Sequence, residues 1–234
     1  MIPMARVPRE STPRNRIWPE ASLTALVVLA ACAFFFLAVE SSSLASDSVP
    51  GLMSVNTNWE AWEESGVPLG PQNAPAVVSA FMDFTCAHCR DAVFILDSLR
   101  ALLPDQVKVV FHPFPLYGHH LTIERAIAAE CADQQGRFEE MVRVLYGRME
   151  TIGEIPWANL ANEAGIPDYG AFEECTNQSF RAFPRILASR NLGDSLGVPG
   201  TPTLFVNGRS VTDWSLGALL AHIEREALDG RPQR

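Results

Sequence analysis

Residues Ala76 to Phe84 are β-prone and mostly apolar, and they run directly into Cys86-Ala87-His88-Cys89 and from there into a helical pattern. That junction constrains the fold more than anything else in the chain. A run holding Val77, Val78, Phe81 and Phe84 reads as a strand buried in the middle of a sheet. After the cysteines, Val93, Leu96, Leu99 and Leu103 recur at helical spacing, with Arg90, Asp91, Asp97 and Arg100 at polar positions, until Pro104 ends the helix. Val107 to Phe111 is a second short strand. Strand, helix, strand makes a βαβ unit, whose crossover sets the two strands parallel.

Two cysteines separated by two residues at a helix start lie within bridging reach, and the first sits where free backbone N–H groups and the helix dipole favour an anion. Thiolate is the nucleophile of disulfide exchange. His88 lies between the sulfurs and is a donor toward a negative Cys86 sulfur, which then serves as both attacker and leaving group. Cys89, one turn inward, is the expected resolving thiol. Two other readings of the pair stay open: half of a zinc site completed by the distant Cys131 and Cys175, and a merely structural Cys86–Cys89 bridge. The strand-to-helix context favours redox chemistry.

Downstream, about Leu121 to Leu196 reads as helical, with turn signals at Gly136, Gly153-Glu154-Ile155-Pro156 and Gly165-Ile166-Pro167, so a helical insertion over about 119–196 is expected. Thr203-Leu204-Phe205-Val206 is a strand, Asn207-Gly208 signals a tight hairpin, and Arg209 to Thr212 should pair back. Leu216, Leu219, Leu220 and Ile223 form a final amphipathic helix. Trp59 and Trp62 are expected to pack a short helix against the domain, while His112, His119 and His120 are expected in loops or at the surface. Adjacent histidines point apart in a strand or helix and rarely share one metal.

From Ala21 to Val39 the chain carries no formal charge, and a helix of that length spans about 28 Å, close to a bilayer core. Arg6, Arg9, Arg14 and Arg16 precede it, with Glu40 and Asp47 after it, so the N-terminus is expected in the cytoplasm and all that follows outside. The expected order is a cytoplasmic tail 1–20, a transmembrane anchor 21–39, a flexible linker 40–58 and a domain over 59–230. A second reading takes Leu29-Ala30-Ala31-Cys32 as a lipobox with a lipid anchor on Cys32, and a third takes the segment as a cleaved secretory signal. All three export the domain. An exported domain sits in an oxidising compartment, so Cys131 and Cys175 are expected to form a structural disulfide, two free thiols or a second redox relay being the alternatives. The net charge of -9 argues against nucleic acid as a partner, because phosphate binding needs a clustered basic face.

Two motifs carry a family resemblance. Phe84-Thr85-Cys86-Ala87-His88-Cys89 and, later, Gly197-Val198-Pro199-Gly200-Thr201-Pro202-Thr203-Leu204-Phe205-Val206-Asn207-Gly208 make the chain from about Asn73 to Leu228 resemble the DsbA-like branch of the thioredoxin superfamily. The resemblance implies an α/β thioredoxin fold, a central mixed sheet flanked by helices, and thiol–disulfide exchange at Cys86 and Cys89. It also implies that Thr201-Pro202 is a cis-proline loop facing Cys86, where the backbone of Thr201 would pair with an extended substrate. Exported proteins with free cysteines are the expected substrates, with a membrane redox partner for reoxidation. A monomer is expected, without cofactor or metal. A reductase or isomerase of the same fold, or a redox-inactive binding module, remains the alternative.

The chain departs from the family pattern at two places. Ala87 stands where many DsbA-like oxidases carry proline, and Ala80, six residues before Cys86, stands where relatives often bury a carboxylate. Asp83 is a candidate replacement, although an acid at a strand end is ordinarily solvated.

Overall fold

Seven residues from Ala76 to Met82 form β2, and every one of them is buried. Val78, Ala80 and Met82 face the larger hydrophobic cluster, while Phe81 belongs to a smaller one on the other side. The strand alternation thus feeds two cores at once. The computed structural model describes residues 58–116 and 120–228, all within one unit of the chain, residues 53–234. The expected tail 1–20, anchor 21–39 with Cys32, nearly all of linker 40–58 and His119 lie outside the described residues. Among the described residues, no helix is long and apolar enough to cross a membrane.

The sheet has five strands: β1 (Val67–Leu69), β2, β3 (Val107–Pro113), β4 (Thr203–Val206) and β5 (Arg209–Val211), ordered β1-β3-β2-β4-β5. β2 pairs parallel with β3, with Ala76 opposite Val107 and Met82 opposite Pro113. Its other edge pairs antiparallel with β4, and β4 with β5. α1 (Ala87–Leu102) makes the β2-to-β3 crossover. The mixed sheet and the βαβ unit match the expected architecture. β1 was not expected: three residues with Pro68 at the centre carry no readable alternation, and a proline-containing strand is tolerated here because it lies on the sheet edge.

Between β3 and β4 the chain forms α2 (His120–Asp133), α3 (Phe138–Gly147), α4 (Trp157–Glu163), α5 (Tyr169–Thr176), a short 3-10 turn and α6 (Pro184–Ser195). Cys131 and Cys175 are joined in a disulfide that ties α2 to α5. α6 instead returns to the sheet and packs against β3 and the 3-10 segment Trp59–Ser65. That segment is the expected tryptophan helix in tighter form, with Trp62 buried edge-on to Phe205 at 5.3 Å. α7 (Leu216–Leu228) packs against α1.

The β4–β5 turn shows why Asn207-Gly208 is required. Both residues have positive φ, 46° and 77°, and a Cβ on Gly208 would fall 2.7 Å from Trp59. Asn207 does more than turn the chain, since its side-chain oxygen accepts the Val77 N–H at 2.9 Å and so extends the β2 ladder.

His112 is a correction to the sequence reading. β3 runs two residues past Phe111, and strand parity turns His112 under α6, fully buried and stacked on Phe81 with ring centroids 4.6 Å apart. Its Nδ1 lies 3.4 Å from Ser189 Oγ. Burial lowers its pKa to about 4, against a smaller upward pull from the Ser65 backbone. In the unfolded chain the imidazole takes up its proton near 6.5. Stability therefore falls as pH drops from about 6.5 toward 4, by roughly 3 kcal/mol in total. Urea unfolding at pH 7 and pH 4.5 should show this loss in the wild type and a flatter profile in His112→Phe. In the same assay, replacing Cys131 and Cys175 by serine together should cost about 4 kcal/mol, the chain-entropy value for a loop of this length.

Candidate active site

Cys86 is the N-cap of α1, in extended conformation at φ -93° and ψ 119°, because β2 ends at Met82 and the helix begins at Ala87. Its carbonyl accepts the Cys89 N–H at 3.1 Å and the Arg90 N–H at 3.3 Å, the first bonds of the helix. One helical turn then carries Cys89 inward. Cys86 is half-buried and Cys89 fully so, and both are free thiols. Ala87 and His88 are exposed on the first turn.

The Thr201-Pro202 peptide bond is cis, and it faces the helix start as the family resemblance implied. Cys86 Sγ donates to the Thr201 carbonyl at 3.3 Å. Thr203 Oγ1 donates to the Gly200 carbonyl at 2.7 Å and ties the loop to the start of β4. Thus Cys86, Cys89, Thr201 and Pro202 converge, although more than a hundred residues separate the two motifs. Cys131 and Cys175 lie in their own disulfide, so they cannot complete a zinc site with the pair. Among the described residues, no group of three His, Cys, Asp or Glu side chains is placed to hold a metal.

Asp83 overturns the expectation of a solvated acid, being only 1% exposed. One carboxylate oxygen accepts from the Thr85 N–H at 2.7 Å, the Thr85 hydroxyl at 2.6 Å and the Thr122 hydroxyl at 2.6 Å. The other accepts the Leu116 N–H at 2.8 Å. The carboxylate thus clamps the turn before Cys86 to α2 and to the segment leaving β3. Its backbone carbonyl accepts the Cys86 N–H and the Tyr146 hydroxyl, each at 3.1 Å.

Arg125 and Tyr146 complete the polar backing of the site, and neither was expected there from the sequence. Arg125 donates to the Phe84 carbonyl at 2.8 Å and to the Met149 carbonyl at 3.0 Å. Burial lowers its pKa, while the nearby Asp83 charge opposes that shift. A weak signal existed: Thr122 and Arg125 share one face of a helix otherwise rich in Ile and Ala, at i,i+3 spacing. Burial also pushes the Cys89 thiol well above the usual range, against the Asp83 backbone N–H and the Thr201 hydroxyl, which lower it.

The sequence model of the family described as Thioredoxin matches residues 63–225. Among curated relatives, the Na(+)/H(+) antiporter NhaA 1 of Mycolicibacterium vanbaalenii is 29% identical over 160 residues, covering 66% of this chain and 25% of the antiporter. NhaA 3 of Salinispora tropica is 34% identical over 143 residues, covering 60% and 21%. The chain therefore spans about a quarter of the length of the curated relatives it matches. A thioredoxin-like oxidoreductase from Silicibacter pomeroyi superposes with a TM-score of 0.63 at 24% identity, covering 74% of this chain and 99% of that one. BdbD from Bacillus subtilis gives 0.59 at 20% identity, covering 79% and 100%. DsbG from Mycobacterium tuberculosis gives 0.56 at 21%, covering 73% and 91%. At these identities the likeness establishes a shared fold.

The clamp at Asp83 has a measurable consequence. Asp83→Asn places an amide against donors and leaves the Arg125 charge without its opposite, which should cost about 2–4 kcal/mol of unfolding free energy. Thr122→Val, which removes one bond, should cost about 1 kcal/mol in the same denaturant titration.

Proposed function

The chain belongs to the thioredoxin family, and on that premise we propose that it is a membrane-tethered thiol–disulfide oxidoreductase that introduces disulfides into exported proteins. One observation carries the reading. A half-buried Cys86 caps α1 with its sulfur on the Thr201 carbonyl beside a cis proline, and a fully buried Cys89 waits one turn behind. Asymmetric exposure of this kind suits a pair in which one sulfur meets other proteins and the second only releases it.

In the oxidising direction, a substrate thiolate attacks Sγ of Cys86 in the Cys86–Cys89 disulfide. The intramolecular S–S bond breaks, a mixed disulfide forms, and Cys89 departs with the electron pair. A second substrate thiolate then attacks the substrate sulfur of that bond, and Cys86 leaves as a thiolate at the positive end of α1. His88, on the exposed first turn, is assigned the role of donor to that departing sulfur. The substrate pair is oxidised, Cys86 and Cys89 are reduced, and a membrane redox partner withdraws the two electrons.

Export is supported by the Cys131–Cys175 disulfide, since such bonds persist in oxidising compartments. The uncharged run 21–39 behind an arginine-bearing tail supports a single-pass anchor with the domain outside. The antiporters that contain a related segment exchange ions, which fits a domain held at a membrane face.

The direction of electron flow follows from the reduction potential. Equilibration with glutathione should place Cys86–Cys89 above the thioredoxin value of about -270 mV, and a value at or below it would turn the reading toward a reductase. Cys86→Ser should abolish dithiol oxidation, and Cys89→Ala should accumulate mixed disulfides at Cys86. Unchanged exchange in Cys86→Ser would overturn the activity itself.

A further inference from the structure

The β2–β4 ladder stops just short of Cys86. Phe81 pairs with Thr203 and Ser79 with Phe205, and the Asn207 N–H donates to the Val77 carbonyl at 3.0 Å. Thr203 and Phe205 therefore turn their backbone polar groups toward β2, in the alternation of an antiparallel pair. Thr201, two residues before Thr203, continues that row, and its carbonyl does point to the β2 side, where Cys86 Sγ meets it at 3.3 Å. β2 itself has ended at Met82 and given way to α1. Among the described residues, no strand stands opposite Thr201. The open edge lies at the surface, with Thr201 and Cys86 half-buried and Ala87 exposed.

An extended peptide fits such an edge by adding main-chain hydrogen bonds to the row. Its N–H has to approach the Thr201 carbonyl from the β2 side, the direction that Cys86 Sγ already occupies. A thiol holds that place with its hydrogen. In a Cys86–Cys89 disulfide neither sulfur carries one, and a bond of about 2.05 Å draws Cys86 Sγ toward Cys89, one turn inward. The carbonyl has then lost its donor, and an unmet acceptor favours a new partner.

We propose that the Cys86 thiol and the substrate main chain compete for the Thr201 carbonyl, so that the oxidised protein binds an extended peptide there and the reduced protein lets it go. This rests on the exchange chemistry proposed above and adds a release step to it. When a substrate dithiol is oxidised, an S–S bond forms in the substrate and the Cys86–Cys89 bond breaks. Two electrons and two protons pass from the substrate thiols to Cys86 and Cys89. The proton that reaches Cys86 restores the S–H donor at Thr201, so reduction itself expels the product. By linkage, a peptide that prefers the oxidised form pulls the Cys86–Cys89 equilibrium toward the disulfide by the same factor.

Ribonuclease A, reduced and carbamidomethylated, is an unfolded chain without thiols and serves as the probe. Titrated with the full chain at pH 6, below the ordinary thiol pKa of about 8.5, it should bind the oxidised protein at least about threefold more tightly than the phosphine-reduced protein. That ratio is within reach of one net hydrogen bond. Cys86→Ala has no S–H at that place and should bind as tightly as the oxidised wild type, with or without the phosphine. Cys89→Ala keeps the Cys86 S–H and should bind as weakly as the reduced wild type. Saturating probe should shift the equilibrium with glutathione toward the disulfide by the ratio of the two affinities. Equal affinity of both redox forms, binding to neither, or weak binding by Cys86→Ala would overturn the proposal, the last by tracing the difference to the opened disulfide and not to the S–H. Oxidation of unmodified reduced ribonuclease A is read separately. Its absence with the affinity difference intact would defeat the oxidase reading and leave the competition standing, whereas its presence with equal affinities would defeat the competition alone.

Discussion

The thiol pair depends on β2 being unable to move. Its backbone is hydrogen-bonded to β3 on one edge and β4 on the other, and its side chains are buried on both faces. A slip of one residue would turn Phe81 into the larger core and Ala80 into the aromatic one, so the register is strongly specified. Asp83 extends that rigidity past the strand. A buried carboxylate is costly unless its lone pairs are met, and here the bonds that meet them fix the turn leading to Cys86.

Two chemically identical side chains acquire different properties from this placement. Cys86 ends up at a helix terminus against the Thr201 carbonyl, partly open to solvent. One turn of helix moves Cys89 into the core, where burial disfavours its thiolate. The helical segment between β3 and β4 contributes to both environments. Thr122 and Arg125 of α2 and Tyr146 of α3 close the back of the site, and the Cys131–Cys175 disulfide secures the helix that carries the first two. The segment is therefore continuous with the site and supplies its polar backing.

Much of this was readable in advance because the signals are local. An apolar run before a cysteine pair, leucine spacing after it and Asn-Gly between two short strands each draw on a few neighbouring residues, and each element formed where expected. β1 escaped notice because three residues around a proline carry no period, and only its pairing with β3 makes it a strand. His112 looked like part of a loop because the end of β3 is unmarked in the sequence. Its burial comes from α6, whose Ser189 lies 77 positions along the chain.

The order of elements, the cysteine pair at a strand-to-helix junction and the two motifs that frame it are legible along the chain, since periodicity and turn chemistry act within a few residues. Only the packed molecule brings buried polar groups together around the turn that leads to Cys86. Asp83, Arg125 and Tyr146 come from three separate elements, and a carboxylate at a strand end is solvated or buried according to what later helices fold over it. Desolvation is a property of the assembled core, and no local pattern encodes it.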